Sequence, residues 1–308
     1  MNRVWQAIEA GDEISLGRAL AEGKGRAQAR EKKDGETPLA HALKKNLRDG
    51  IFDLLLKASD PNVRESGGGN ALHIAVEFAG ADRVAKIMAL TEAGARDAEG
   101  NTALMLAARH RDSAALMELL LPTSDPKAVN AHGETALMLA VVNGCGHSAR
   151  ILAPVSDCDA RDNDGCAPIH AAARLDMLTV MVERNIKKLE SGEDFEDPAT
   201  MMLNILMPFS ANPRTSDGKS AFELAVAESN YEAADCMSTV ASREGLEWAF
   251  RAAHAKNGGG AVPAVMPMAA ALLEAQRIKD AISAPAQGSV SEGKDTAKTQ
   301  TRFKNRAL

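Results

Sequence analysis

One phrase recurs along this chain. Thr102 stands in EGNTALMLA and Thr135 in HGETALMLA, and the same slot holds Thr37 in DGETPLAHA, Asn70 in GGNALHIA, Ala167 in DGCAPIHAA and Ser220 in DGKSAFELA. The successive intervals are 33, 32, 33, 32 and 53 residues. A catalytic motif needs stating once, whereas a phrase restated at a period near 33 is the signature of a stacked array. In such an array no unit can bury its apolar face alone, so the stack itself is the fold.

Each position in the phrase has a physical reason. Gly35, Gly100, Gly133, Gly165 and Gly218 supply a turn conformation that a Cβ would disfavour. The Thr or Ser two residues later can accept a hydrogen bond from an unpaired N–H in the first turn of a helix. Pro38 and Pro168 sit at the first helical position, where a missing N–H costs little. An Ala-rich first helix such as 103–109 allows close stacking on its neighbours. A second helix with Leu or Val at i, i+3, i+4 spacing then covers it, as in Leu54-Leu55-Leu56, Leu119-Leu120-Leu121 and Ile151-Leu152.

The fullest unit, SDCDARDNDGCAPIHAAA from Ser156 to Ala173, is similar to the Gly-Ala-Asp-x-Asn-x-x-Asp-x-x-Gly-x-Thr-Pro-Leu-His-x-Ala-Ala pattern of ankyrin repeats. Ala167 replaces the usual Thr and Ile169 the usual Leu. The resemblance covers roughly residues 4–243. It implies an all-α ankyrin-repeat solenoid of helix–turn–helix units with helical caps, and structural imidazoles at His73 and His170 that hydrogen-bond across the turn. The segment AIEAGDEISLGRALAEG, Ala7 to Gly23, resembles the helical part of a repeat and is expected to cap the array in residues 1–33.

Where the interval widens to 53, the phrase is broken by an insertion near 185–200. The first helix beginning at Pro168 is predicted to run on through LDMLTVMVERNIKKLE, and Glu193, Asp194, Glu196 and Asp197 follow in an acidic bend. The stretch Met201 to Pro213 restores the second-helix pattern. The insertion reads either as a tolerated surface loop or as an added partner contact. The repeats are thus expected over 34–243. A helical cap is expected over 244–283, with a partner-binding amphipathic helix as the other reading of its apolar periodicity. Residues 284–308 are Ser-, Thr-, Lys- and Gln-rich and read as a disordered basic tail, either solvated or a secretion or docking signal.

Composition narrows the function. The 308 residues carry a formal charge of -6, which opposes binding to phosphate backbones or anionic lipids, so neither nucleic acid nor membrane is expected as partner. Aromatics make up only 3%, too few for a base-stacking platform. The N-terminal segment lacks the apolar stretch of a secretory signal, and the four cysteines read as free thiols in a reducing compartment, so a cytoplasmic monomer is expected. Cys145, His147, Cys158, Cys166 and His170 lack the paired spacing of a structural zinc site, and no nucleophile elbow, phosphate loop or zinc-protease helix is present, so no metal, no cofactor and no catalytic residue are assigned.

What remains is a binding surface. Stacked turn tips and first-helix faces form one extended, concave surface, and the resemblance implies a non-enzymatic protein–protein interaction module using it. The candidates on the turns are Arg96, Glu99, Asn101, Asn130, His132, Glu134, Arg161, Asn163, Arg214 and Lys219; those at the first helices are Arg109, His110, Asn143 and Arg174. The same face would equally serve an inhibitor or immunity protein occluding a partner enzyme, or a secreted effector delivered into another cell. On composition, limited proteolysis is expected to release the chain beyond about Ser283 before cutting within 34–175, followed in time by mass spectrometry of the fragments.

Overall fold

The computed structural model describes residues 2–22, 35–92, 94–110, 113–175, 198–211, 213–238, 246–249, 251–252 and 266–274. Among the described residues the helices of the array follow one another in pairs: α1 (Arg3–Ala10) with α2 (Glu13–Ala21), α3 (Pro38–Lys44) with α4 (Asp49–Ala58), and α5 (Ala71–Phe78) with α6 (Ala81–Met88). The array continues with α7 (Ala103–Ala108) and α8 (Ala114–Leu120), α9 (Ala136–Val142) and α10 (Gly146–Leu152), α11 (Pro168–Ala173) and α12 (Pro198–Leu206), and α13 (Ala221–Ala227) and α14 (Tyr231–Met237). Each first helix packs on the next first helix, and the second helices from α6 to α14 form a parallel layer behind them. Arg83 and Lys86 of α6 join α4 by ion pairs to Asp49 and Asp53 at 2.8 and 2.7 Å. No strand forms among the described residues, and the turns make isolated bridges such as Val129 to Thr135.

The two layers differ because their sequences do. In α7, ALMLAA, every residue is buried, since α5, α9 and α8 surround it. Ala103, Ala107 and Ala108 at its two ends let neighbouring backbones approach closely, and Leu104, Met105 and Leu106 fill the space between. In α6, ADRVAKIM, only Val84 and Ile87 are buried, as expected of a helix with one apolar stripe. Leu104 and Leu137 are fully buried on successive first helices; truncation to Ala at such a position costs about 2–5 kcal/mol.

Helix starts follow the chemistry of the recurring slot. The hydroxyls of Thr37, Thr102, Thr135 and Ser220 accept from the N–H three residues on, at Ala40, Met105, Met138 and Glu223. Asn70 does the same with its amide oxygen. Ala167 has no such oxygen, and its own N–H is instead taken by His170 Nδ1 at 2.9 Å.

One expectation is corrected. Helix α11 does not run on past Pro168–Ala173; it closes at Ala173 with Arg174 as its C-cap, and Leu175 turns back so that its N–H bonds the Ala172 carbonyl. The helix has the length of its equivalents, and just beyond its end the Asn230 amide donates to the Leu175 carbonyl at 3.1 Å. The acidic bend at Glu193, Asp194, Glu196 and Asp197 and the tail beyond 283 lie outside the described residues. Helix α12 takes the second-helix place opposite α11, between α10 and α14.

The turns are joined by a ladder of backbone bonds. Ala98 N–H donates to the Gly67 carbonyl at 3.1 Å, Ala131 N–H to Glu99 at 2.9 Å and Asn163 N–H to His132 at 2.9 Å. Gly133 has φ +78°, and a Cβ there would lie 2.9 Å from the Asn163 nitrogen. Conformation and crowding therefore both exclude a side chain at this rung. Gly133→Ala is expected to lower stability by about 2 kcal/mol or more, while Gly17→Ala, inside α2 with no atom within 4 Å of the added methyl, raises it by about 0.5–1 kcal/mol. Urea denaturation followed by circular dichroism measures both.

Candidate functional site

Two sets of side chains meet on one face. The residue just before each slot and the residue seven after it are eight apart in sequence, yet Lys44 Nζ reaches Glu36 Oε1 at 2.6 Å and Arg174 Nη1 lies 3.8 Å from Cys166 Sγ. The turn and the far end of each first helix therefore look onto the same surface. Between them the helices expose almost nothing: α5, α7 and α9 are buried until their last residues. The floor is flat and its two edges carry the chemistry.

At the turn edge the candidate residues divide. Arg96, Arg161 and Arg214 each donate from Nη1 to the carbonyl of the glycine four residues on, at 2.9, 2.9 and 2.7 Å. Arg64, absent from the sequence candidates, does the same with Gly68 at 2.7 Å and also reaches the Arg96 carbonyl of the next unit at 2.6 Å. Arg96 likewise bonds the Val129 carbonyl. These guanidiniums brace the turns while their side chains stay largely open to solvent, Arg214 at 60%.

Asn101 and Asn130 are corrections to the expected surface. They are 2% and 8% exposed, because Asn130 Nδ2 donates to Asn101 Oδ1 at 3.0 Å and each side chain is bonded within its own turn. A partner cannot reach them. Glu99 and Glu134 are held back to the same turns by those amides, at 3.1 and 2.9 Å. His132 is exposed, Asn163 is exposed with its amide on the Ala131 carbonyl at 2.9 Å, and Lys219 pairs with Asp217 at 3.2 Å.

At the helix-end edge, Arg109, His110 and Arg174 are exposed and Asn143 is half-buried, its amide on the Leu139 carbonyl at 2.8 Å. These ends stack on one another: Cys145 Sγ–H donates to the Arg109 carbonyl at 3.2 Å. Two residues missed in the sequence complete the edge. Phe78 is 49% and Val142 51% exposed, one closing α5 and the other closing α9. The signal was available, since they lie eight and seven residues after their slots, the places held by His110 and Arg109 one repeat away.

The buried imidazoles are structural. His73 Nε2 meets the Asn101 carbonyl at 3.1 Å, and His170 Nε2 meets the Pro213 carbonyl at 2.7 Å, so each ring bridges one repeat to the next. Burial holds both below their ordinary value of 6.5. At His170 the neutral ring fits, donating from Nε2 and accepting at Nδ1 from the Ala167 N–H, whereas His73 Nδ1 meets both the Asn70 N–H at 3.3 Å and Asn70 Oδ1 at 2.7 Å. Burial, helped by Asp159 and Asp157, pushes the Cys158 thiol up to about 11, and burial raises Cys166 as well, so both stay protonated and weakly nucleophilic at neutral pH. Among the described residues, no three His, Cys, Asp or Glu side chains converge on a point that would hold a metal ion.

The unfolded chain binds more protons than the native one once pH falls below the ordinary imidazole value. Stability is therefore full above about pH 6.5 and declines as pH drops beneath it. Urea midpoints at pH 7.5 and 5.5 are expected to show this loss, with a smaller difference in His170→Gln. That substitution also removes a buried bond between repeats, costing about 1–3 kcal/mol at pH 7.5.

Comparison with known proteins places the array. A family model described as ankyrin repeats matches in three overlapping copies, at residues 48–128, 72–161 and 104–191. Neurogenic locus notch homolog protein 1 of Xenopus tropicalis is 34% identical over 142 residues, 45% of this chain and 6% of that protein. Neurogenic locus notch homolog protein 2 of Homo sapiens is 33% identical over 140 residues, 44% of this chain and again 6% of the relative. The chain thus spans a small fraction of the length of these relatives. Among solved structures, the ankyrin repeat domain of Bcl-3, a member of the IkappaB protein family, is similar with a TM-score of 0.51 at 23% identity, covering 70% of this chain and 87% of that one. At that identity the likeness speaks for the fold.

Proposed function

The chain is an ankyrin-repeat protein, and from that premise we propose that it is a non-enzymatic binding module whose partner protein lies across the turn tips and first-helix ends. Ankyrin repeats are protein–protein interaction modules, which supports the class of function. The observation that carries the choice of face is the geometry of its two edges: turn and helix-end residues share one surface while the helices between them bury their side chains. A partner laid there meets side chains from several units at once.

Rigidity supports the same reading. The backbone ladder, the bracing arginines and the bridging imidazoles fix the relative positions of successive turns before any partner arrives. A surface held in place loses little conformational freedom on association, so more of the contact energy appears as affinity. The second-helix layer lacks this construction, since its exposed residues, Lys57 and Arg150 among them, stand on the outer sides of separate helices.

The test is capture of partners from the native cell with full-length protein and two charge-reversed forms. Arg109→Glu with Arg174→Glu alters the proposed face; Lys57→Glu with Arg150→Glu alters the opposite layer. All four positions are exposed, so neither pair is expected to shift stability by more than about 0.5 kcal/mol per site. The face pair should weaken capture at least about thirtyfold, about 2 kcal/mol, and the outer pair should leave it nearly unchanged. Loss of capture with the outer pair alone would move the interface to the second-helix layer.

A further inference from the structure

We propose that the joint between α11 and α13 is acid-sensitive: protonation of His170 uncouples the unit of α13 and α14 from the array, while the units before it stay stacked. Such a joint does not depend on which partner the face takes.

This joint is built differently from its neighbours. The N–H groups of Ala98, Ala131 and Asn163 each donate to a carbonyl of the preceding turn, but among the described residues no backbone–backbone bond joins the turn at 161–166 to the turn at 213–219. Side chains stand in for that rung. Ser216 Oγ donates to the Asp164 carbonyl at 3.1 Å, the Asn230 amide to the Leu175 carbonyl at 3.1 Å, and His170 Nε2 to the Pro213 carbonyl at 2.7 Å. Just ahead of the unit, Asp159 accepts from Ser210 Oγ at 2.7 Å. Of these groups only the imidazole changes charge between pH 7 and pH 5.5.

His170 differs from His73 in what a second ring proton would meet. Ala167 leaves the slot without an acceptor, and His170 Nδ1 faces the Ala167 N–H at 2.9 Å. A proton on Nδ1 sets two donors against each other around a fully buried side chain. At His73 the slot holds Asn70, whose Oδ1 lies 2.7 Å from Nδ1 and can take that proton, while the Asn101 carbonyl takes the other. A charged His170 must therefore turn away from Ala167, and turning withdraws Nε2 from Pro213.

The surrounding charges do not offset this. Burial is the largest cause that holds the ring below its ordinary value, and Arg161 and Arg174 add to it; the Pro213 carbonyl and Asp162 act the other way. Asp162 Oδ1 already accepts from the Asp164 and Cys166 N–H groups, and the Cys166 thiol stays neutral. Helices α9 and α12, packed on α11, carry no titratable side chain. On α13, Glu223 accepts from the Ser220 N–H at 2.7 Å and pairs with Arg214 at 3.3 Å, and in the adjoining turn Asp217 pairs with Lys219 at 3.2 Å. None of these carboxylates bonds the ring.

In a stacked array each unit contacts only its neighbours, so a weakened joint releases what lies beyond it and spares what lies before. Above pH 6.5 the ring is neutral whether the joint is closed or open. Below that value the open form takes up the proton first, and opening is favoured as pH falls. Between pH 7.5 and 5.5 the opening equilibrium rises up to about tenfold.

The test is amide hydrogen exchange of the full-length protein, read by mass spectrometry at pH 7.5 and 5.5 and corrected for the pH dependence of free amide exchange. Protection in 213–238 is expected to fall about tenfold at pH 5.5, while 136–152 keeps its protection to within about twofold. Ala167→Asn copies the Asn70 arrangement and His170→Gln removes the titrating group; in both, the acid loss at 213–238 should shrink to about twofold or less. His73→Gln should leave that loss unchanged. Equal loss in 136–152 and 213–238, no loss at 213–238, or a full loss that persists in both variants would overturn the proposal. If His170→Gln has already lost protection of 213–238 at pH 7.5, Ala167→Asn decides: protection kept at pH 5.5 supports the acid-sensitive joint, and protection lost there refutes it.

Discussion

Backbone bonds from turn to turn, such as Ala131 N–H to the Glu99 carbonyl at 2.9 Å, set the register of the array, and the turn edge inherits its position from these rungs. The rung exists only because glycine takes φ near +80° at the crown of each turn, bringing one turn's backbone within bonding distance of the next. Side chains then reinforce it from both sides. Arginines at Arg64 and Arg96 tie the outer edge, while His73 and His170 tie the inner one.

Helix packing supplies most of the stabilising free energy, but it specifies position less tightly. Alanine-rich first helices can slide or rotate against one another with modest change in buried area, whereas a hydrogen bond to a fixed carbonyl tolerates little displacement. The turn ladder therefore acts as the ruler and the helices as the mass. This division explains why polar residues such as Asn101 and Asn130 are buried at the turns while the helical core excludes nearly all polar groups. Their amides complete the ladder at a place where water is excluded.

The fold was readable in the sequence because its rules are local. Glycine at the crown, a capping oxygen two residues on and an apolar stripe beyond all lie within one unit, so one unit predicts the next. What could not be read depends on a partner in the neighbouring unit. Asn130 looks like a solvent-facing turn residue until Asn101, 29 residues earlier, is placed beside it. The carbonyls that the turn arginines brace are likewise not evident from composition. The end of α11 at Ala173 was missed because the apolar pattern continues past it, and the Leu175 carbonyl beyond that end is held by Asn230, a residue of another unit. Phe78 and Val142 were missed although their places after the slot match those of His110 and Arg109, because the expected surface was read from polar side chains alone.

His170 has a wider consequence. Its Nε2 reaches the Pro213 carbonyl, 43 residues along the chain, and Ser216 Oγ reaches the Asp164 carbonyl, 52 residues back, as if the stretch between 175 and 198 were not there. Stacking has been made independent of the chain length connecting the stacked parts. Such a joint lets a lineage lengthen, shorten or replace the intervening segment without disturbing any rung on either side. The seam between α11 and α12 is thus a port at which new sequence can be tried while the turn ladder stays intact, separating what can vary from what must be kept.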